Sequence, residues 1–377
     1  MPYFFVILLL LPLSVLGGGF AAEFESRYIQ PIVADVPGAA LVVVVNGKVR
    51  LQKTYGVVSV GESAPVTDQS LFRIASISKG FASAAAALLV RDTEMTWQTP
   101  LKTELADLRF KSSEYGEQIN LWHIMSQTTG LMPHAYTNLI EEKMSYRRIL
   151  ERLHRVDFVC PPGRCYGYQN VVFSLVGELI QARTSLDYAE FVDRRLFQPL
   201  AMNRASIGHD AYVEDENHAR PHIWNGGRWR AVRSKSDYYK VPPAAGVNAS
   251  ISDMCEWLLA QLGQKPQVLS PEILDEMHQG VIRTSRQQAH YPYRRELGEI
   301  YYGLGWRVFD YGSQAGFVHH GGYVRGMVST MVFHRSTKTG AVFLTNSEPK
   351  GVNRLVLDFA DLHQSAVSSG IDVLATR

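Results

Sequence analysis

Apolar and polar positions change rhythm along the chain in a way that predicts its elements. Phe4 to Leu16 is an apolar run broken only by Pro12 and Ser14, with no charged residue before Glu23 and with Gly17-Gly18-Gly19 and Ala21-Ala22 behind it. That pattern reads as the hydrophobic region and small-residue cleavage zone of an export signal over residues 1–22, short against the ~20 residues a bilayer span needs. No lysine or arginine precedes the run, so an uncleaved membrane anchor stays open as the alternative. Ala39 to Val45 and Lys48 to Tyr55 are β-branched, apolar-rich runs joined by Asn46-Gly47, which predicts a hairpin. Ser76 to Arg91 is apolar almost all round and predicts a buried helix.

Helical spacing continues through Asn120 to Ser126, Glu142 to Arg155, Val171 to Arg183 and Asp187 to Leu196. Ser250 and Asp253 have the spacing of a capping box ahead of a helix from Met254 to Leu262. Strand-like runs return at Tyr302 to Phe309, Gly316 to His320, Gly326 to His334 and Ala341 to Asn346, and an amphipathic helix, Asn353 to Ser365, closes the chain. Strands at both ends with helices between predict an α/β (α+β) fold: a sheet completed by the two termini, carrying an inserted helical lobe. The sheet region is expected over about residues 25–80 and 240–377 and the lobe over about 81–239, together one catalytic domain of residues 23–377. A cleft at their junction is the expected place for a site.

Composition narrows the partners. Lys plus Arg number 38 against 36 Asp plus Glu in 377 residues, so no net field favours nucleic acid. The expected partner is a small or peptide-sized substrate, with a membrane involved only if the N-terminal segment is uncleaved. Three cysteines are too few for a disulfide scaffold or a four-thiolate zinc site; an oxidising compartment would allow Cys160 and Cys165 to bridge, leaving Cys255 free. His218 and His222 have no third ligand nearby and are read as loop residues. No metal and no cofactor is implied. An α/β-hydrolase nucleophile motif is misplaced in Gly312-Ser313-Gln314-Ala315-Gly316.

Three short patterns carry chemistry. Ser76-Ile77-Ser78-Lys79 opens the buried helix, where residues i and i+3 lie about 5 to 6 Å apart. A desolvated Lys79 amine there could take the Ser76 hydroxyl proton. Tyr168-Gln169-Asn170 heads a second helix; a phenol beside Lys79 would be pushed toward phenolate and relay a proton, while Asn170 would orient Lys79 and bind a substrate carbonyl. His320-Gly321-Gly322 on an edge strand would let the backbone approach a substrate. Neighbouring strand residues point to opposite faces, so His319 and His320 should not both face the cleft, and the glycine register selects His320. Each pattern has a look-alike: Ser347-Glu348-Pro349-Lys350, Tyr136-Thr137-Asn138 and Lys338-Thr339-Gly340, the last read as a hairpin turn.

The ordered set Ser76-x-x-Lys79, Tyr168-x-Asn170 and His320-Gly321-Gly322 resembles the penicillin-recognising serine hydrolases, in particular the group of class C β-lactamases, DD-peptidases and related esterases. Phe72 to Lys79, Ser126 to Leu131, Pro199 to Met202, Gly303 to Trp306 and Thr345 to Ser347 are similar to its signature segments, so the likeness runs from about residue 25 to about residue 365. It implies a β-lactamase/transpeptidase-like fold, an antiparallel sheet flanked by helices with an all-helical lobe. Ser76 would be the acylated nucleophile, Lys79 and Tyr168 the acid-base pair, and Asn170, His320 and Gly322 substrate contacts. Tyr323 would supply the second oxyanion N–H. The implied activity is an exported serine acyl hydrolase, periplasmic or secreted, acting on a β-lactam, a D-amino-acid peptide or a small ester. A penicillin-binding or peptidoglycan-sensing protein that acylates without turnover shares every motif and is the alternative.

The departure lies in the third pattern. Class C β-lactamases usually present Lys-Thr-Gly where this chain has His320-Gly321-Gly322. An imidazole of ordinary pKa ~6.5 is only about one-quarter charged at pH 7, so carboxylate-bearing substrates are expected to bind more weakly as pH rises through the titration of His320.

Overall fold

In the computed structural model, which describes residues 19–142 and 144–368, the runs joined by Asn46-Gly47 form strands β1 (Gly38–Val45) and β2 (Lys48–Gly56). Asn46 and Gly47 have φ of 52° and 69°, the left-handed pair that a two-residue hairpin matching the strand twist requires. The apolar run Phe4 to Leu16 lies outside the described residues. Phe20 and Ala21, from the segment read as the end of a leader, belong to a short helix whose Phe20 and Phe24 rings pack on Phe359.

The C-terminal region supplies the remaining strands: β3 (Ile282–Arg283), β4 (Leu297–Tyr302), β5 (Arg307–Tyr311), β6 (Gln314–Val324), β7 (Met327–His334) and β8 (Thr339–Thr345). They join the hairpin in one antiparallel sheet ordered β2-β1-β8-β7-β6-β5-β4-β3. Pairing Ala39 with Thr345 ties the two ends of the chain together. Strand β1 is buried at every position because both faces are covered: Ala40, Val42 and Val44 enter the core shared with the helical lobe, and Leu41 and Val43 the core on the outer face. Helix α1 (Ser78–Asp92) lies in the inner core. The capping box at Ser250 and Asp253 starts α2 (Ile251–Gln261), whose Trp257 stacks on Phe81 of α1 at 3.8 Å. The outer face is covered by α3 (Leu355–Ser368) and the N-terminal helical residues.

Several expected elements differ in detail. The single strand expected over Tyr302 to Phe309 is two, because Gly303 to Trp306 form a turn in which Gly305 has φ of 76°. Helix α1 starts at Ser78; Ser76 sits in a preceding 3₁₀ turn, Ala75–Ile77. The helix expected over Glu142 to Arg155 shrinks to Tyr146–Leu150 plus a 3₁₀ turn, and a short helix, Thr137–Glu141, precedes it. His222 is not a loop residue: it opens a strand and is buried, its Nε2 accepting from the Val60 N–H. Thr339 and Gly340 begin β8, and only Lys338 of that triplet stays in the turn.

Candidate active site

The position of Ser76 is set by backbone geometry that only the fold enforces. Ala75 is left-handed, at φ of 48°, a conformation that costs an L-residue with a Cβ about 1–2 kcal/mol. The surroundings hold it there. The Ile74 N–H donates to the Val247 carbonyl at 3.2 Å, and the Ser329 hydroxyl donates to the Ile74 carbonyl at 2.8 Å. Gly322 of β6 closes the same contact: a Cβ on it would lie 2.1 Å from the Ile74 oxygen, so only glycine lets the strand come this close.

Lys79 points back from α1 into this junction and is fully buried. Its Nζ lies 2.7 Å from Asn170 Oδ1, 3.0 Å from the Ala244 carbonyl and 3.4 Å from Ser76 Oγ. Burial, reinforced by the positive charge of Arg307, holds its pKa well below the ordinary lysine value. A neutral amine has two hydrogens and one lone pair. With the two near acceptors taking those hydrogens, the uncharged amine would turn its lone pair to the Ser76 hydroxyl. The Tyr168 hydroxyl donates to Ser76 Oγ at 3.0 Å, and its ring lies 4.6 Å from the Lys79 nitrogen. Burial pushes the Tyr168 phenol up, outweighing the hydrogen bond to Ser76 and the charge of Arg307 that both pull it down; this corrects the expectation of a phenolate, and Tyr168 is a proton donor. The Cys160–Cys165 disulfide closes the loop just ahead of it, and Cys255 is free and buried.

Strand β5 begins at Arg307, opposite His319, so β6 outruns it and residues 320–324 present an open edge. That edge, with Ser76, Tyr168 and Asn170, lines a cavity of about 990 Å³. Gly322 and Tyr323 lie on it as expected. His319 and His320 both line this cavity, against the expectation that one must turn away, because the cavity wraps around the strand end and touches both faces. His320 Nδ1 is 2.8 Å from the Gly321 carbonyl and its Nε2 is 3.5 Å from the Tyr302 hydroxyl. Burial, with the charges of Lys79 and Arg307 added, holds His320 well below the ordinary imidazole value. That shift displaces its titration to lower pH than an ordinary imidazole's, so the expected loss of carboxylate binding around pH ~6.5 is not assigned to His320.

The look-alikes take no part in the Ser76 cluster. Ser347 is buried on the Thr345 hydroxyl at 2.9 Å, and the Tyr136 hydroxyl donates to the Arg152 carbonyl. Thr339 donates to the Thr337 carbonyl at the far end of β8.

One cavity residue escaped the motif reading. Arg307 is buried, donates from Nη2 to the Tyr166 hydroxyl at 3.3 Å, and has no partner for Nη1 among the described residues. Burial opposes its charge, yet its pKa is not pulled below the ordinary arginine value; the guanidinium stays protonated, ringed by the hydroxyls and rings of Tyr166, Tyr291, Tyr302 and Tyr168. The sequence signal was there in Trp306-Arg307-Val308-Phe309, a cation inside an otherwise apolar strand. Among the described residues no cluster of three or more metal-ligating side chains occurs.

Comparison with known proteins supplies the family. Residues 26–365 match the sequence model of the family named Beta-lactamase. A beta-lactamase of Escherichia coli K12 is 27% identical over 291 residues, 77% of this chain and 71% of that protein. The unguisins hydrolase ungD' of Aspergillus campestris is 28% identical over 63% of this chain and 46% of its own length. Protein flp of Staphylococcus aureus is 22% identical over 85% of this chain and 62% of its own. The structure of the octameric penicillin-binding protein homologue from Pyrococcus abyssi superposes with a TM-score of 0.75 at 20% identity, covering 93% of this chain and 76% of that one, and shares its fold. With a family match that spans nearly all the described residues, the chain belongs to the Beta-lactamase family of serine hydrolases.

Proposed function

We propose that the protein is an exported, class C β-lactamase-like acyl hydrolase that forms an ester intermediate on Ser76 and prefers substrates bearing a carboxylate. The observation that carries this reading is the Ser76 hydroxyl oxygen held between the Tyr168 hydroxyl at 3.0 Å and the Lys79 amine at 3.4 Å, with that amine's other acceptors already supplied. The Ser76 proton passes to the Lys79 lone pair as Oγ attacks the substrate carbonyl. The backbone N–H groups of Ser76 and Tyr323 receive the oxyanion. Tyr168 gives its proton to the leaving group and regains one from the Lys79 ammonium. Water then cleaves the ester by the same groups in reverse.

The substrate class is a β-lactam, a D-amino-acid peptide or a small ester, of cell-wall origin where peptidoglycan is the source. Arg307, charged and with an open N–H, supports a carboxylate on that substrate. The Cys160–Cys165 disulfide supports a periplasmic or secreted setting. Intact-mass spectrometry of wild type and Ser76→Ala, followed over time with a penicillin and an activated ester, tests the reading. A transient adduct on wild type alone is the expected result. An adduct that persists makes the protein a penicillin-binding receptor, and no adduct with either reagent overturns the hydrolase.

A further inference from the structure

The 990 Å³ cavity is larger than the chemistry at Ser76 needs, and its shape follows from one residue. On its inner side it is lined by Ser76, Tyr168 and Asn170; on its outer side, across β6, it reaches Val328, Val352 and Val356 beneath α3. The outer face of β6 at this point carries His319, Gly321 and Tyr323 in register, opposite Val332, Thr330 and Val328 of β7. His319 is pinned by the Tyr291 hydroxyl at 2.9 Å, and Tyr323 leans on Glu348 at 3.2 Å. Between these two bulky side chains Gly321 leaves a gap. A Cβ at 321 would meet its nearest atoms, His319 Nε2 and the Ser329 carbonyl, only at 3.5 and 3.7 Å, which is ordinary contact. Unlike Gly322, then, Gly321 is not required by the packing. A side chain fits there sterically and would stand in the passage between the two sides.

We infer that this passage is a subsite for an unbranched apolar chain of the substrate, running from the reacting carbonyl over Gly321 onto the valines under α3, and that Gly321 determines whether that chain is admitted. The inference rests on the hydrolase reading above and names a feature of its substrate. Beyond Gly321 the cavity offers Val328, Val352, Val356 and Pro349 as an apolar strip among polar neighbours, so each methylene buried on that strip adds binding free energy, and the open strand end lets the chain cross from the inner face to the outer without displacing β5.

Two series of esters test this on the full chain: nitrophenyl esters from acetate to decanoate, which lengthen the acyl group, and acetate esters of alcohols of matching length, which lengthen the leaving group. In one of the series kcat/KM should rise by up to about fourfold per added methylene, and Gly321→Val should cut the long-to-short ratio by at least ~10-fold. Gain in the acyl series places the chain on the acyl group, and gain in the alcohol series places it on the leaving group. Asn353→Trp, an exposed position at the outer rim of the cavity, should cut the same ratio without touching strand β6, and carries the test if Gly321→Val fails to fold. A flat dependence on length in both series, or a gain that both variants leave intact, overturns the subsite. If no ester is turned over, the hydrolase reading falls while the subsite is decided by calorimetry with decanoic acid. Binding that weakens at least ~10-fold in Gly321→Val sustains it, and binding that is absent or equal in the two proteins ends it.

Discussion

Two basic side chains are buried near one another and meet opposite fates. Lys79 sits among neutral acceptors, an amide oxygen, a backbone carbonyl and a hydroxyl, and burial drives it toward the uncharged amine. Arg307 is nearly as buried, but its guanidinium spreads the charge over three nitrogens, faces four phenols and stays protonated. One of the two is therefore a base behind Ser76 and the other a fixed positive charge on the cavity wall. Each influences the other, since the charge of Arg307 is one cause of the depressed Lys79 pKa. Burial alone does not decide protonation; the chemistry of the buried group and of its neighbours does.

The largest effect comes from erasing that difference. Lys79→Arg keeps the charge and most of the length but cannot lose its proton, so kcat/KM should fall by at least ~10³, as far as for Lys79→Met. Retention of more than a tenth of the activity would remove Lys79 as base. Next in size, Arg307→Leu should raise KM for a carboxylate-bearing ester by ~10 to 100-fold and spare a neutral ester, the loss of one charged hydrogen-bonding partner. The same variant takes away a positive neighbour of Lys79. The Lys79 pKa then rises, and the acid limb of the kcat/KM profile should move to higher pH; a shift the other way, or equal losses for both esters, would contradict the coupling.

A smaller effect concerns stability. His278, His319 and His320 are buried, and burial first of all holds their pKa values down, that of His319 to about 3. The unfolded chain binds protons below pH ~6.5 that these folded-state imidazoles refuse, so stability should fall with decreasing pH, each group contributing up to about 1.4 kcal/mol per pH unit. Urea midpoints compared at pH 7 and pH 5 measure this, and an unchanged midpoint would place compensating groups elsewhere. The smallest effect is expected at Ala75→Gly. It relieves a left-handed alanine but frees the unfolded chain, so the stability change should stay within about 1 kcal/mol. Activity reports whether the held geometry at Ser76 survives; a fall of ~10-fold with the fold intact would assign the strain a positioning role.

The Asn46-Gly47 hairpin, the buried helix, the capping box and the order of the three motifs were all legible in the chain, because each is a local pattern whose physics acts over a few residues. Boundaries slipped where tertiary contacts intervened, as where Gly303 to Trp306 divide one apolar run into two strands. Residue identity alone also led to the wrong charge states for Tyr168 and His320. Their ordinary pKa values are properties of solvated groups, and both lie out of water beside groups distant in sequence.

From its amino-acid order alone, then, this protein determined which groups could react and in what local conformation they would be offered: a serine three residues ahead of a lysine, a tyrosine before an asparagine, two glycines after a histidine. Tertiary structure decided what those groups became. It brought Tyr168 to Ser76 across 92 residues, removed the water that would have kept Lys79 charged, set Arg307 in the cavity wall, and ran β6 past β5 so that one cavity reaches both faces of the sheet. Protonation and cavity shape depend on solvent exclusion, and exclusion is a property of the packed whole that no short stretch of chain possesses.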